Sequence, residues 1–92
     1  TVTLLENIHP FASAAFASAG MTQIATHAGA SAGAPLAEIV SRTSVLGIRS
    51  KTRLHAADFR PDGLLEAIGC YCIGTDQVDL AAAELAGIPV FN

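Results

Sequence analysis

The sequence predicts an α/β fold: an open parallel sheet of about five strands with helices on both faces. Two observations carry this. Short apolar runs alternate with helix-like stretches along the chain, and parallel strands need a crossover between them, normally a right-handed one through a helix. The clearest instance runs from Ala67 to Asn92. There an apolar run stops at Gly74, polar residues make a turn, Asp79 can cap a helix of alanines and leucine, and Gly87 ends that helix before a new apolar run from Ile88. That is one βαβ unit, and its first loop lies at the carboxyl end of a strand, the edge at which open parallel sheets bind ligands.

The earlier elements follow the same alternation. Val2 to Ile8 contains a short β-prone run that ends at His9-Pro10, a first strand and a turn into a helix whose first turn suits Pro10. Phe11, Ala14, Ala15 and Ala19 recur at roughly helical spacing, and Gly20 stops that helix. Gln23 to His27 reads as a second short strand anchored by Ile24, and residues 28–34 as a glycine-rich surface loop. Leu36, Ile39 and Val40 give a short amphipathic helix, and Ser44 to Ile48 a third strand with Arg49-Ser50 at its carboxyl end. Between His55 and Glu66, Pro61 and Gly63 predict a shortened helix and a loop.

Composition bounds the function. Of the 92 residues 51% are hydrophobic and 14% charged, which excludes a disordered tail, and no stretch approaches the roughly 18 uninterrupted apolar residues of a membrane span. No cationic segment precedes the first apolar run, which breaks at Glu6, so no secretory signal is expected. A net charge of −3 with scattered basic residues provides no stripe for nucleic acid. Residues 1–92 suffice for one small domain.

Several residues could carry chemistry. Arg49, Ser50 and Lys51 follow a strand directly, placing two cations and a hydroxyl at the ligand edge of the sheet. A guanidinium can grip a carboxylate or phosphate with two hydrogen bonds, and lysine adds a mobile charge. Basic residues after a strand can equally be plain solvated surface. In Cys72-Ile73-Gly74, glycine permits close approach of a ligand to the main chain, or simply makes the turn. Asp76 and Asp79 are read as holding that turn, Asp79 as a helix cap. Cys70 and Cys72, two apart in a strand, face the same way and cannot easily bridge each other. With no second ligand pair at metal spacing they are read as reduced thiols packed as small apolar groups, which points to a reducing compartment, the cytoplasm. His9, His27 and His55 have no carboxylate partner near in sequence and are read as surface or loop residues.

The stretch from Ala67 to Asn92, together with Leu4-Leu5-Glu6-Asn7-Ile8-His9 and Gly47-Ile48-Arg49-Ser50-Lys51-Thr52-Arg53-Leu54, resembles the substrate-binding domain of the D-2-hydroxyacid dehydrogenase family. Within that family it resembles the members that oxidise 3-phosphoglycerate at its hydroxyl, the first step of serine biosynthesis. The resemblance covers nearly the whole chain. It implies a flavodoxin-like strand order, NAD as cofactor, a small anionic 2-hydroxy acid as substrate and a homo-oligomeric parent enzyme.

It further implies that Arg49 and Ser50, with Lys51, bind substrate, and that backbone N–H groups at Cys72, Ile73 and Gly74 receive the substrate carboxylate, Ile73 lying near the nicotinamide. Lys51 stands where arginine is often found, keeping the charge but losing the fork. Ala28 stands where some relatives carry lysine, which removes a positive charge from the anion site. No catalytic residue is assigned here, because in the resembling enzymes the catalytic histidine, glutamate and arginine lie far downstream. No G-x-G-x-x-G fingerprint occurs in residues 1–92. The nucleotide-binding domain is expected soon after Asn92, the sheet is expected to be incomplete without that chain, and the fragment is expected to be inactive alone and not to hold NAD tightly.

Two other readings stay open. A stand-alone flavodoxin-like binding or signalling module would want an acidic cluster or a phosphate loop after the first strand, and Asn7-Ile8-His9-Pro10-Phe11-Ala12 supplies neither. A dehydrogenase remnant that kept the fold and lost the chemistry would share every motif above.

Overall fold

The computed structural model describes residues 1–21, 23–60 and 63–92. Five parallel strands, β1 (Val2–Leu4), β2 (Ile24–Thr26), β3 (Val45–Ile48), β4 (Ala67–Cys70) and β5 (Val90–Phe91), form one sheet in the order β2-β1-β3-β4-β5. This is the flavodoxin-like order, with β1 paired to β2 on one side and to β3 on the other.

Helices α1 (Pro10–Ser18), α2 (Gly33–Ser41) and α3 (Leu80–Leu85) make the crossovers. Among the described residues between β3 and β4 there is one 3₁₀ turn, Ala56–Asp58, in keeping with the shortened helix expected there. The Pro61 part of that expectation lies outside the described residues.

Each element has a local cause. Pro10 occupies the first turn of α1, and His9 Nδ1 accepts a hydrogen bond from the Phe11 N–H at 3.2 Å. Asp79 Oδ1 accepts from the Ala82 N–H at 3.1 Å, capping α3 as expected. β1 is buried along its whole length, as a central parallel strand must be.

β1 and the residue that follows it feed two cores. Val2 and Leu4 pack with Ile8, Ala12 and Phe16 under α1, while Leu5 joins Leu36, Ile39, Leu46, Ile48 and Ile68 in the larger core. Each large aliphatic so buried contributes about 1.5–3 kcal/mol.

Three details differ from the sequence expectation. The first strand ends at Leu4, because the backbone turns left-handed at Glu6 (φ 59°) and Asn7 (φ 54°). In α1, Ala12 is buried and Phe16 partly so, while Phe11, Ala14, Ala15 and Ala19 are exposed. The recurring apolar residues of that helix are thus not its inward face, since a run of alanines has almost no amphipathic contrast with which to set one. β4 stops at Cys70, so Cys72 lies in the following loop, although it still packs against the same core as Cys70.

Candidate functional site

In this strand order the chain reverses direction between β1 and β3, and the crevice outside their carboxyl ends is where such sheets bind ligands. Five segments lie along that edge: residues 6–9 after β1, 49–52 after β3, 71–74 after β4, Asn92 after β5, and residues 27–31 after β2, which bond to Glu6, Asn7 and Thr52. A cleft of about 700 Å³ opens there, with Asn7, His9, Phe11, Arg49 and Tyr71 among its walls. The side chain of Tyr71 owes its place to glycine: a Cβ on Gly47 would lie 3.2 Å from the Tyr71 ring and 2.6 Å from Leu4 Cδ2.

Glu6 joins the first two segments. Its carboxylate is almost fully buried, and its two oxygens collect N–H groups from a single loop: Arg49 at 2.7 Å and Thr52 at 3.1 Å on Oε2, Lys51 at 2.8 Å on Oε1. Burial pushes the Glu6 pKa up, but the hydrogen bonds from Lys51, Arg49 and Thr52 outweigh it and hold the group below its ordinary value of 4.5. The carboxylate is therefore charged, and both its oxygens accept from this loop. Arg49, Ser50 and Lys51 are exposed, and among the described residues neither the Arg49 guanidinium nor the Lys51 ammonium forms an ion pair. Two cations thus stand at the switch point outside any ion pair among the described residues.

The β4 loop is organised from the opposite side. Asn92 Nδ2 donates to the carbonyls of Cys72 and Gly74, both at 3.0 Å. Among the described residues the N–H groups of Cys72, Ile73 and Gly74 donate to no acceptor. Gly74 has φ 87°, which admits this turn without steric cost. Ile73 is wholly exposed at the tip. A loop with its carbonyls secured and successive N–H groups open suits an anion.

Gln77 holds the two loops together. It is buried, and its Nε2 donates to the Arg49 carbonyl at 2.9 Å while lying 2.8 Å from Cys72 Sγ. Backbone bonds secure it in turn, Leu54 N–H to the Gln77 carbonyl at 2.9 Å and Asp79 N–H to the Leu54 carbonyl at 3.0 Å. The two stretches singled out in the sequence, 49–51 and 72–74, are thus brought to one edge and connected.

A model of the D-isomer specific 2-hydroxyacid dehydrogenase family, catalytic domain, matches residues 2–92. The chain belongs to that family. It is 44% identical over 89 residues to D-3-phosphoglycerate dehydrogenase of Escherichia coli K12, covering 97% of this chain and 22% of that protein. It is 43% identical over 91 residues to the enzyme of the same name from Dictyostelium discoideum, covering 99% of this chain and again 22% of the relative. Among solved structures, D-lactate dehydrogenase of Aquifex aeolicus, complexed with NAD and lactic acid, superposes with a TM-score of 0.75 at 13% identity. That match covers 98% of this chain and 27% of the other, and at this identity it speaks to fold alone. The chain thus spans about a fifth of the length of the curated relatives it matches.

In this member of the 2-hydroxyacid dehydrogenase family, Glu6, Gln77 and Asn92 are the edge residues that sequence reasoning missed. A signal for Glu6 existed: a lone carboxylate directly after an apolar run, in a chain with few charges. Gln77 and Asn92 carry no such mark. The thiols offer no nucleophile at neutral pH from Cys70, whose pKa burial raises to about 11, with Cys72 adding to the rise. Both cysteines are free. His27 and His55 are exposed, and the His55 N–H donates to Asp58 Oδ2 at 2.9 Å in a local turn. Among the described residues no group of three or more His, Cys, Asp or Glu could hold a metal ion, and no helix is long and apolar enough to cross a membrane.

Proposed function

We propose that this chain is the amino-terminal part of the substrate-binding domain of an NAD-dependent D-3-phosphoglycerate dehydrogenase, which oxidises 3-phosphoglycerate to 3-phosphohydroxypyruvate in serine biosynthesis. The observation that carries this is identity above 40% to D-3-phosphoglycerate dehydrogenases over nearly the whole chain. The two cations at the switch point, in no ion pair among the described residues, support it.

The substrate carries a carboxylate and a phosphate, and the edge offers two kinds of anion contact. Arg49 grips one anionic group through its guanidinium, Ser50 adds a hydroxyl hydrogen bond, and Lys51 adds charge. The N–H groups of Cys72, Ile73 and Gly74 receive the carboxylate. Together they fix the hydroxyl-bearing carbon at this edge of the sheet.

Bound NAD would accept the hydride from that carbon. The residues here fit one edge of such a cofactor and not its cradle. Ile73, a wholly exposed apolar side chain at the tip of the β4 loop, suits the flat face of a nicotinamide ring, while a phosphate-binding fingerprint is not present in residues 1–92. The nucleotide-binding domain and the acid–base groups belong to the longer parent chain, and closure of the cleft between the two domains excludes water. The fragment alone is inactive and does not hold NAD tightly. The parent is a cytoplasmic homo-oligomer, a reading the two free thiols support as to compartment.

The test is NAD reduction by the intact parent enzyme with 3-phosphoglycerate and, in parallel, D-lactate. Turnover with a clear preference for 3-phosphoglycerate is expected. Preference for D-lactate would overturn the substrate, and turnover of neither would overturn the activity.

A further inference from the structure

We infer that Glu6 is a positioning residue for substrate binding: its buried carboxylate, gathering the N–H groups of Arg49, Lys51 and Thr52, fixes the loop in which Arg49, Ser50 and Lys51 meet the anionic substrate. This deepens the proposed function and rests on it.

Three observations support the inference. Both carboxylate oxygens accept backbone N–H groups of one loop, Arg49 at 2.7 Å and Thr52 at 3.1 Å on Oε2 and Lys51 at 2.8 Å on Oε1, and the residue is buried, so its hydrogen bonds go to holding that loop. The backbone at Glu6 and Asn7 is held left-handed, at φ 59° and 54°, a conformation disfavoured for glutamate that persists only where surrounding contacts impose it. Strain of that kind is commonly kept where geometry serves a site. Finally, the carboxylate spends itself on N–H groups and leaves the Arg49 and Lys51 side chains outside any ion pair among the described residues. A carboxylate paired directly with either cation would cancel the charge the ligand needs. Bonded to the backbone, it anchors the loop and leaves the cations to the substrate.

Gln77 completes the anchorage from the far side, since it takes the Arg49 carbonyl while Glu6 takes the Arg49 N–H. The peptide groups on both sides of Arg49 are therefore fixed by side chains from two other segments. An arginine has several rotatable bonds, and a fixed backbone is what lets its guanidinium meet a carboxylate or phosphate at a low entropic cost.

The experiment is steady-state kinetics on the full-length enzyme, wild type, Glu6→Gln, Arg49→Ala and the double variant, with whichever of 3-phosphoglycerate and D-lactate the wild type turns over. Glutamine keeps the shape but turns an amide N–H₂ toward one of the loop's donors. Glu6→Gln is expected to raise KM for the hydroxy acid about tenfold, with kcat and KM for NAD within about threefold, as loss of ground-state binding requires. In the Arg49→Ala background the same change is expected to raise KM less than about twofold, because both act through one loop.

A Glu6→Gln variant that melts earlier but keeps its KM would overturn the inference, as would losses that simply add in the double variant. A lowered KM would also overturn it, since that would make the carboxylate a repulsive neighbour of the substrate. An unchanged KM in Arg49→Ala alone would instead take Arg49 out of the site and overturn the substrate placement on which the inference rests. Should Glu6→Gln fail to fold, Glu6→Asp carries the test: it keeps the charge but retracts it by one methylene, and an unaltered KM there overturns the inference.

Discussion

The loops after β3 and β4 lie side by side on the same sheet edge and present themselves to a ligand in opposite ways. After β3, three backbone N–H groups are bound internally by Glu6, so what faces outward is side-chain chemistry from Arg49, Ser50 and Lys51. After β4, the carbonyls of Cys72 and Gly74 are held by Asn92, and among the described residues the row of N–H groups stays open. One loop offers mobile charge at the ends of flexible side chains, the other fixed dipoles at a set distance. A ligand with two separated anionic groups can use both. Gln77, bonded to the Arg49 carbonyl and lying against Cys72 Sγ, keeps the two offers in register.

The sharpest way to break this contrast is at its buried charge. Glu6→Ala leaves three N–H groups without their acceptor, and unfolding by denaturant should show a loss of about 3 kcal/mol or more. The loss carries a pH signature. Because the folded-state pKa of Glu6 lies below its ordinary value of 4.5, the stabilisation is fully present above that value and is lost as pH falls through the folded-state pKa. The Tm gap between wild type and Glu6→Gln should therefore be widest at neutral pH and shrink on acidification below 4.5. A gap independent of pH would show that the ionised carboxylate is not what holds the loop.

Arg49→Ala comes next. It removes an exposed side chain and should leave Tm nearly unchanged, yet raise KM for 3-phosphoglycerate at least about tenfold with KM for NAD unaltered. An unchanged KM would take Arg49 out of the site.

Asn92→Ala acts on the other loop, freeing two carbonyls that water can then solvate. A stability loss of about 1 kcal/mol is expected, with kcat/KM down about fivefold as the N–H groups lose their fixed direction. Lys51→Arg should be smallest. It keeps the charge and restores a fork, so KM should change by less than about threefold. A large effect there would mean that Lys51 grips the ligand as firmly as Arg49.

Much of this was readable from the residues, for physical reasons that can be named. The βαβ unit at the end of the chain announces itself because Asp79 and Gly87 punctuate α3 with chemistry that only a cap and a left-handed stop require. The larger core was legible for the same kind of reason: Leu36, Ile39 and Val40 share one face of α2, and all three are buried. The inward face of α1 was not legible, since alanine is small enough to sit on either side of a helix. The site divided likewise. Cations after a strand are visible in a sequence, but what fixes them is a side chain 43 residues away for the Arg49 N–H, and one 28 residues away for its carbonyl. Such contacts exist only once the sheet has brought β1, β3 and β4 together, so local pattern could not supply them.

The most direct test of the central claim is to follow backbone amide chemical shifts in the full-length enzyme during titration with 3-phosphoglycerate. The contrast predicts large shifts for Ile73 and Gly74, whose N–H groups turn to the ligand, and small ones for Lys51 and Thr52, whose N–H groups stay on Glu6, while the Arg49 guanidinium responds strongly. Large shifts at Lys51 and Thr52 with silence at Ile73 and Gly74 would contradict it.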